Sequence, residues 1–205
     1  MSEHSKYDQI LDALKSLLEN KELQTISVQE IARTAGMGKG SIYYYFSSKD
    51  KILEALIERN YKNSLVLAKN LATQTDIPTF TRMAMVFQAC RTSSAEFLKQ
   101  DSAATETGAE KAFLHQKYLS YLICELKPVL TAIIEQGIQA GDIHFEYPAA
   151  LSEIVLIILT LKLDNTIVPS TEEEITETIR GLISLLEKGT GNPAGTLNFL
   201  MTFSS

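Results

Sequence analysis

Residues 26–53, "ISVQEIARTAGMGKGSIYYYFSSKDKIL", decide how the whole chain is read. Ser27 and Glu30 stand at the S-x-x-E spacing of a capping box, in which a hydroxyl and a carboxylate each take up a backbone amide, and Ile26 is placed to staple onto Ile31. A helix is therefore expected from Val28, with Ile31, Ala32 and Ala35 on its inner side. It should end at Gly36, where a residue without Cβ can take the left-handed conformation that closes a helix. Gly38 is a modest N-cap for a second short helix over Lys39 to Phe46. Helix, short glycine-bearing turn, helix is the outline of a helix-turn-helix.

At about 100° per residue, Ile42 and Phe46 fall one turn apart on the buried side of the second helix. Gly40 and Tyr44 point the opposite way, Ser41 lies beside them, and Tyr43 and Tyr45 flank the buried face. Packing explains Ile42 and Phe46 but leaves Tyr44 as a large ring in water. A helix lying in a major groove explains it. Gly40 lets the backbone come close, Ser41 offers a small donor, and the tyrosines join a flat apolar body to a hydroxyl that reaches phosphate. Lys39 and Lys49 bracket the helix as phosphate-neutralising cations, and the amides near Ser27 and Ser48 can each hold a phosphate.

Working outward, Ile10, Leu14, Leu17 and Leu18 make residues 5–20 an amphipathic first helix. Ser47 and Ser48 should end the short helix and cap a fourth one over 49–71, roughly 34 Å long and so a connector to further structure. Beyond it the pattern gives helices near 77–91, 93–100, 110–140, 147–163 and 172–188, with Pro128 either kinking the long segment or starting a new helix. The last helix opens with a second capping box, Thr171 to Glu174. The expected fold is all-α: an N-terminal helix-turn-helix domain over 1–48, the connecting helix 49–71, a helical effector-binding and dimerisation domain over 72–190, and a loosely ordered tail over 191–205. The helix before the last is apolar nearly all round and must be covered on every side. Leu151, Ile154, Val155, Ile158, Leu161, Ile175, Ile179, Leu182, Ile183 and Leu186 of the last two helices are the candidate dimer interface.

The net charge of −6 excludes a chain that coats nucleic acid indiscriminately. The charge is uneven: residues 27–51 carry four basic against two acidic side chains, whereas from Tyr61 onward eleven basic residues meet sixteen acidic ones. Phosphate contact is expected only in the N-terminal segment. Cys90 and Cys124 lack any C-x-x-C or histidine spacing, so buried free thiols are expected and neither a metal site nor a disulfide. Met1 to Lys6 lack the apolar core of a signal peptide and the run Ile154 to Leu161 is too short to span a bilayer, so a cytoplasmic protein without membrane attachment is expected. The glycines fit neither phosphate-loop motif, and His4, His115 and His144 are scattered, so no cofactor and no catalytic constellation is expected.

Thr25 to Lys51 resembles the N-terminal signature of the TetR family of bacterial transcriptional regulators, approximately T-x-x-x-I-A-x-x-A-G-V-S-x-G-T-L-Y-x-Y-F-x-S-K-E-x-L. The resemblance implies a homodimer that binds a pseudo-palindromic double-stranded operator, represses transcription and is released by a small-molecule effector. On that resemblance Ser27, Gln29, Lys39, Gly40, Ser41, Tyr43, Tyr44, Tyr45 and Lys49 are the DNA-binding candidates. Gly38 departs from the hydroxyl residue that many members carry there, and Tyr45 from a frequent histidine. The family also implies an effector cavity among the later helices, for which Phe87, Cys90, Arg91, Phe97, Phe113, His115, Tyr118, Tyr121 and Cys124 are candidate lining. The alternatives are a regulator of the same architecture controlled by a protein partner or by no effector, and a helical enzyme or adaptor that no longer binds DNA.

Overall fold

A computed structural model describes residues 5–99, 108–164 and 168–203, with side chains described for 5–91, 116–162 and 168–202. All regular structure among the described residues is helical. The chain divides into two compact units, residues 1–62 with 93–117, and residues 63–92 with 118–205. The long helices each contribute to both units, so no boundary falls in a loop.

In the first unit, α1 (Lys6–Leu18), α2 (Val28–Thr34) and α3 (Lys39–Tyr45) pack beside the first part of α4 (Lys49–Leu71). Ser5 caps α1, and its hydroxyl accepts from the Asp8 amide. The core is aliphatic: Ile10, Leu11, Leu14, Ile31, Ile42, Ile52 and Leu53 are all buried. Each fully buried side chain of this size stabilises by about 1.5–3 kcal/mol, which is what holds the short helices α2 and α3 in place. Arg59 of α4 donates to the Asp12 carboxylate at 2.8 Å and ties α4 back to α1.

In the second unit, the segments expected at 77–91 and 93–100 form one helix, α5 (Thr79–Lys99), because the serines and threonines near residue 92 are weak formers and not breakers. The next, α6 (Gly108–Ala140), continues through Pro128 as one helix. Pro128 lies on the exposed side, and so does Cys124, whose carbonyl loses the helical bond, so water can take it. Helices α7 (Pro148–Asp164) and α8 (Glu172–Thr190) complete the unit. Thr171 and Glu174 form the expected capping box on α8. A buried arginine, Arg82 of α5, donates to Gln136 Oε1 of α6, whose amide donates to the Ala72 carbonyl at 2.9 Å just past the end of α4.

Residues 191–203 are not a loose tail. Gly191 closes α8 at φ 74°. The chain then turns back, with Asn192 Nδ2 donating to the Asp142 carbonyl at 2.6 Å. The Glu187 carboxylate accepts from the amides of Gly195 at 2.8 Å and Leu197 at 3.0 Å. Leu197 and Leu200 are buried, the latter in a 3-10 helix over Asn198–Phe203. Glycine and proline near residue 193 suggest a loose segment, but the apolar residues after them supply enough burial to dock it.

Candidate nucleic-acid interface

The turn between α2 and α3 follows from its local chemistry. Ser27 Oγ accepts from the Glu30 amide at 3.2 Å and the Glu30 carboxylate accepts from the Ser27 amide at 2.9 Å, the reciprocal pair of a capping box. The Lys21 ammonium reaches the other Glu30 oxygen at 2.7 Å. Hydrogen bonding from Lys21 and then from Ser27 pulls the Glu30 carboxyl down to about 2. Gly36 takes φ 68°, the left-handed conformation expected of it. Gly38 caps α3 in extended conformation without any side-chain bond, as its lack of a hydroxyl dictates.

Helix α3 is held by one face. Ile42 is 1% and Phe46 6% exposed, and Tyr7 of α1 lies against the Phe46 ring at 4.8 Å. Tyr44 is 83% exposed and Tyr43 51%, with no packing reason for either to be there. Gly40 and Ser41 precede them on the outer side, and a Cβ built on Gly40 would meet nothing within 4 Å. The Lys39 ammonium lies 5.9 Å from the centre of the Tyr43 ring, an exposed cation–π contact that keeps the charge along the helix. Gln29 of α2 is exposed, as is Ser27, whose hydroxyl is engaged in the capping box.

One residue differs from the sequence expectation, and a second, Tyr45, flanks the buried face as the helix geometry predicts. Lys49 does not stand free to neutralise phosphate. Its ammonium donates to the carbonyls of Leu23 at 2.6 Å, Ile26 at 2.9 Å and Gln24 at 3.4 Å, so it holds the turn before α2. Tyr45 is half a packing residue: 38% exposed, its ring lies edge-on to Tyr44 at 5.0 Å and to Tyr7 at 6.5 Å. Tyr7 was not singled out in the sequence, although it lies three residues before Ile10 on the same stripe of α1. Burial raises the Tyr7 phenol above its ordinary value, with Glu58 and Asp8 adding to the shift.

A profile of bacterial regulatory proteins of the tetR family matches residues 10–56, and one of tetracyclin repressor-like C-terminal domains matches residues 95–182. The chain belongs to the TetR family. This TetR-family chain is 29% identical over 132 residues to the HTH-type transcriptional regulator EthR of Mycobacterium tuberculosis, covering 62% of its own length and 61% of EthR. It is 38% identical over 55 residues to the nucleoid occlusion factor SlmA of Haemophilus ducreyi, covering 26% and 27% of the two chains. In fold it is similar to SmeT, the repressor of the Stenotrophomonas maltophilia multidrug efflux pump SmeDEF, with a TM-score of 0.66 at 15% identity over 93% of this chain and 92% of SmeT. The fold also resembles the fatty acid degradation regulator FadR of Bacillus halodurans, with a TM-score of 0.56 at 18% identity over 91% of this chain and 96% of that one. EthR and FadR are named as regulators and SmeT as a repressor.

The second unit of this TetR-family chain holds a half-open apolar cavity of about 40 Å³ between α5, α6, α7, α8 and residues 192–200. Of the six lining candidates whose side chains are described, only Phe87 faces it. Cys90 is buried elsewhere, and burial pushes its thiol up to about 12. Tyr118 is core, Tyr121 is half-buried, and Arg91 donates to the Thr202 carbonyl. Cys124 is exposed, neither lining nor a buried thiol, because it lies across α6 from Leu122 and Leu126 of the core. The side chains of Phe97, Phe113 and His115 lie outside the described residues. The sequence missed Met83, Ile134 and Leu197, which do line the cavity and carry no signal beyond being apolar.

The interface candidates divide likewise. Leu151, Val155, Ile179, Leu182 and Ile183 are buried in the chain's own core, so they cannot serve a partner, and Leu186 turns to the cavity. Ile154 is 49% exposed, while Ile158, Leu161 and Ile175 are half-buried. Ile157 and Leu185, at 39% and 72% exposed, belong with them although they were not among the candidates. No helix of the described residues is long and apolar enough to cross a membrane.

Proposed function

We propose that this protein is a sequence-specific transcriptional repressor that binds a pseudo-palindromic operator as a homodimer and is released by a small molecule held in its second unit. The observation that carries the reading is α3: a helix anchored by Ile42 and Phe46 that turns Gly40, Ser41, Tyr43 and Tyr44 outward. A glycine beside an 83% exposed tyrosine has no use in the fold and a clear one in a groove. Lys39 supplies the phosphate charge there, and the exposed Gln29 and part-exposed Tyr45 add further contacts. Dimerisation rests on Ile154, Ile157, Ile158 and Leu161 of α7 with Ile175 and Leu185 of α8, an apolar surface that the chain leaves uncovered. Helix α4 contributes to both units, so a ligand in the second can bias the first through one continuous element.

The test is selection of bound duplexes from a random pool, followed by fluorescence anisotropy on the selected duplex. An inverted repeat bound with steep salt dependence is the expected outcome. Recovery of no preferred sequence, or of a preference insensitive to Tyr44→Ala, sinks the reading.

A further inference from the structure

We propose that residues 192–203 form a displaceable strap, and that the ligand taken by the cavity beneath it is an uncharged, mainly hydrocarbon molecule that enters by pushing the strap off. The proposal rests on the effector reading above and adds how the site opens and what it admits. As it stands the cavity holds about 40 Å³, space for a few waters and far below the roughly 300 Å³ of a ligand pocket. Something must move. Helices α5 to α8 are each closed by their own ladder of backbone bonds, whereas the strap contributes Leu197, Phe199 and Leu200 to the cavity wall and is held to the rest of the unit by side-chain bonds, Asn192 to the Asp142 carbonyl and Arg91 to the Thr202 carbonyl among them. Its main latch is the buried Glu187 carboxylate, which receives the amides of Gly195 and Leu197. Two glycines with positive φ, Gly191 at 74° and Gly195 at 95°, frame the point where it leaves α8.

The walls choose the ligand. Among the described residues no ionisable side chain lines the cavity, so a charged guest would be desolvated without a partner. The two polar side chains, Thr190 and Asn192, sit together, with Thr190 Oγ1 donating to the Leu186 carbonyl at 2.6 Å and lying 2.7 Å from Asn192 Oδ1. Asn192 moves with the strap, which leaves one hydrogen-bonding end for an alcohol, ketone, ester or amide. The ligand replaces the side chains of Leu197, Phe199 and Leu200, and the latch sets the affinity it needs.

The neutral fluorophore N-phenyl-1-naphthylamine, titrated into the full-length protein, is the probe. Glu187→Ala should raise its affinity at least tenfold. In the unaltered protein, saturation with the probe should speed hydrogen exchange at Gly195 and Leu197 at least tenfold while α8 stays protected. Slower exchange over 195–203 on binding would mean a ligand under a closed strap and would overturn the proposal, as would equal affinity in a folded Glu187→Ala variant, or no binding to either protein. Where Glu187→Ala does not fold, exchange in the unaltered protein decides. DNA affinity measured in the same samples separates the two readings. Strap opening without DNA release keeps the strap and ends the effector reading; DNA release without strap opening does the reverse.

Discussion

Replacing Gly40 by alanine should make the protein more stable and a worse DNA binder. Gly40 is the second residue of α3, its φ is not positive, and a Cβ added there meets nothing within 4 Å. Alanine therefore gains helix propensity without a clash, about 0.5–1 kcal/mol at a position in the first turn. For a chain of this size that corresponds to a rise of about 1–4 °C in the melting temperature. The same Cβ projects on the face that carries Tyr44 one turn later, where the backbone is expected to approach the groove. A methyl inserted there should weaken binding to the selected duplex at least tenfold, about 1.4 kcal/mol.

Circular dichroism melts and anisotropy titrations on one preparation read both effects. Gly137→Ala is the control of opposite sign, because its Cβ would stand 2.7 Å from Thr79 Cγ2 and 3.0 Å from Ile143 Cδ1. Overpacking of that kind costs about 1–3 kcal/mol and leaves α3 alone. A lower melting temperature for Gly40→Ala, or unchanged DNA affinity, would refute the argument that this glycine serves the approach and not the fold.

Tyr44→Ala should reduce DNA affinity about tenfold or more with stability changed by less than about 0.5 kcal/mol, since the ring is 83% exposed; a large drop in melting temperature would mark it as core. Lys49→Ala should cost about 1.5–3 kcal/mol of stability through the loss of its charge-assisted bonds to the Leu23 and Ile26 carbonyls and leave the salt slope of DNA binding unchanged, whereas Lys39→Ala should lower that slope by about one; the reverse pattern in salt titrations would return Lys49 to the phosphates. Glu30, with its carboxyl lowered from 4.5 to about 2, contributes stability that is present above pH 4.5 and is lost as pH falls through about 2. The stability advantage of the unaltered protein over Glu30→Gln in chemical denaturation should therefore vanish across that window, and a pH-independent difference would contradict it. Leu185→Glu should yield a folded monomer by light scattering with weakened DNA binding; an unchanged mass would move the interface elsewhere.

What the sequence discloses and what it withholds divide by distance along the chain. Both capping boxes, the stop at Gly36 and the bounds of α4 depend on residues three or four apart, and they are legible without a structure. The anchoring of α3 by Ile42 and Phe46 follows from one helical turn of periodicity. Lys49 could not be read this way, because a lysine's charge says that it seeks oxygen and not which: its partners lie 23 to 26 residues earlier. The docking of residues 192–203 likewise turns on Glu187, a carboxylate that looks like one more exposed acid on α8 until the amides of Gly195 and Leu197 arrive. Helix α7 failed for a different reason. A helix apolar all round has no stripe, so its sequence carries no phase to separate Leu151 and Val155, buried within the subunit, from Ile154 and Ile157, left for a partner.

The correction at Lys49 bears on how an acidic protein meets a polyanion. With Lys49 holding carbonyls, Lys51 paired to Glu54 at 2.5 Å and Lys21 to Glu30 at 2.7 Å, much of the positive charge near α3 is committed to the fold. The helix then depends less on long-range attraction than its count of basic residues implies, and more on the tyrosines and Gly40, whose contacts require close fit. Fewer free cations per site means a shallower salt dependence and weaker binding to arbitrary DNA, while contacts made by ring and backbone survive only where the groove matches. Restoring charge should therefore trade away discrimination. Ser41→Lys on the outer face of α3 is expected to steepen the salt slope by about one and to raise affinity for random duplex more than for the selected one. Equal gains on both duplexes, measured by anisotropy at two salt concentrations, would show that charge and not fit already limits binding.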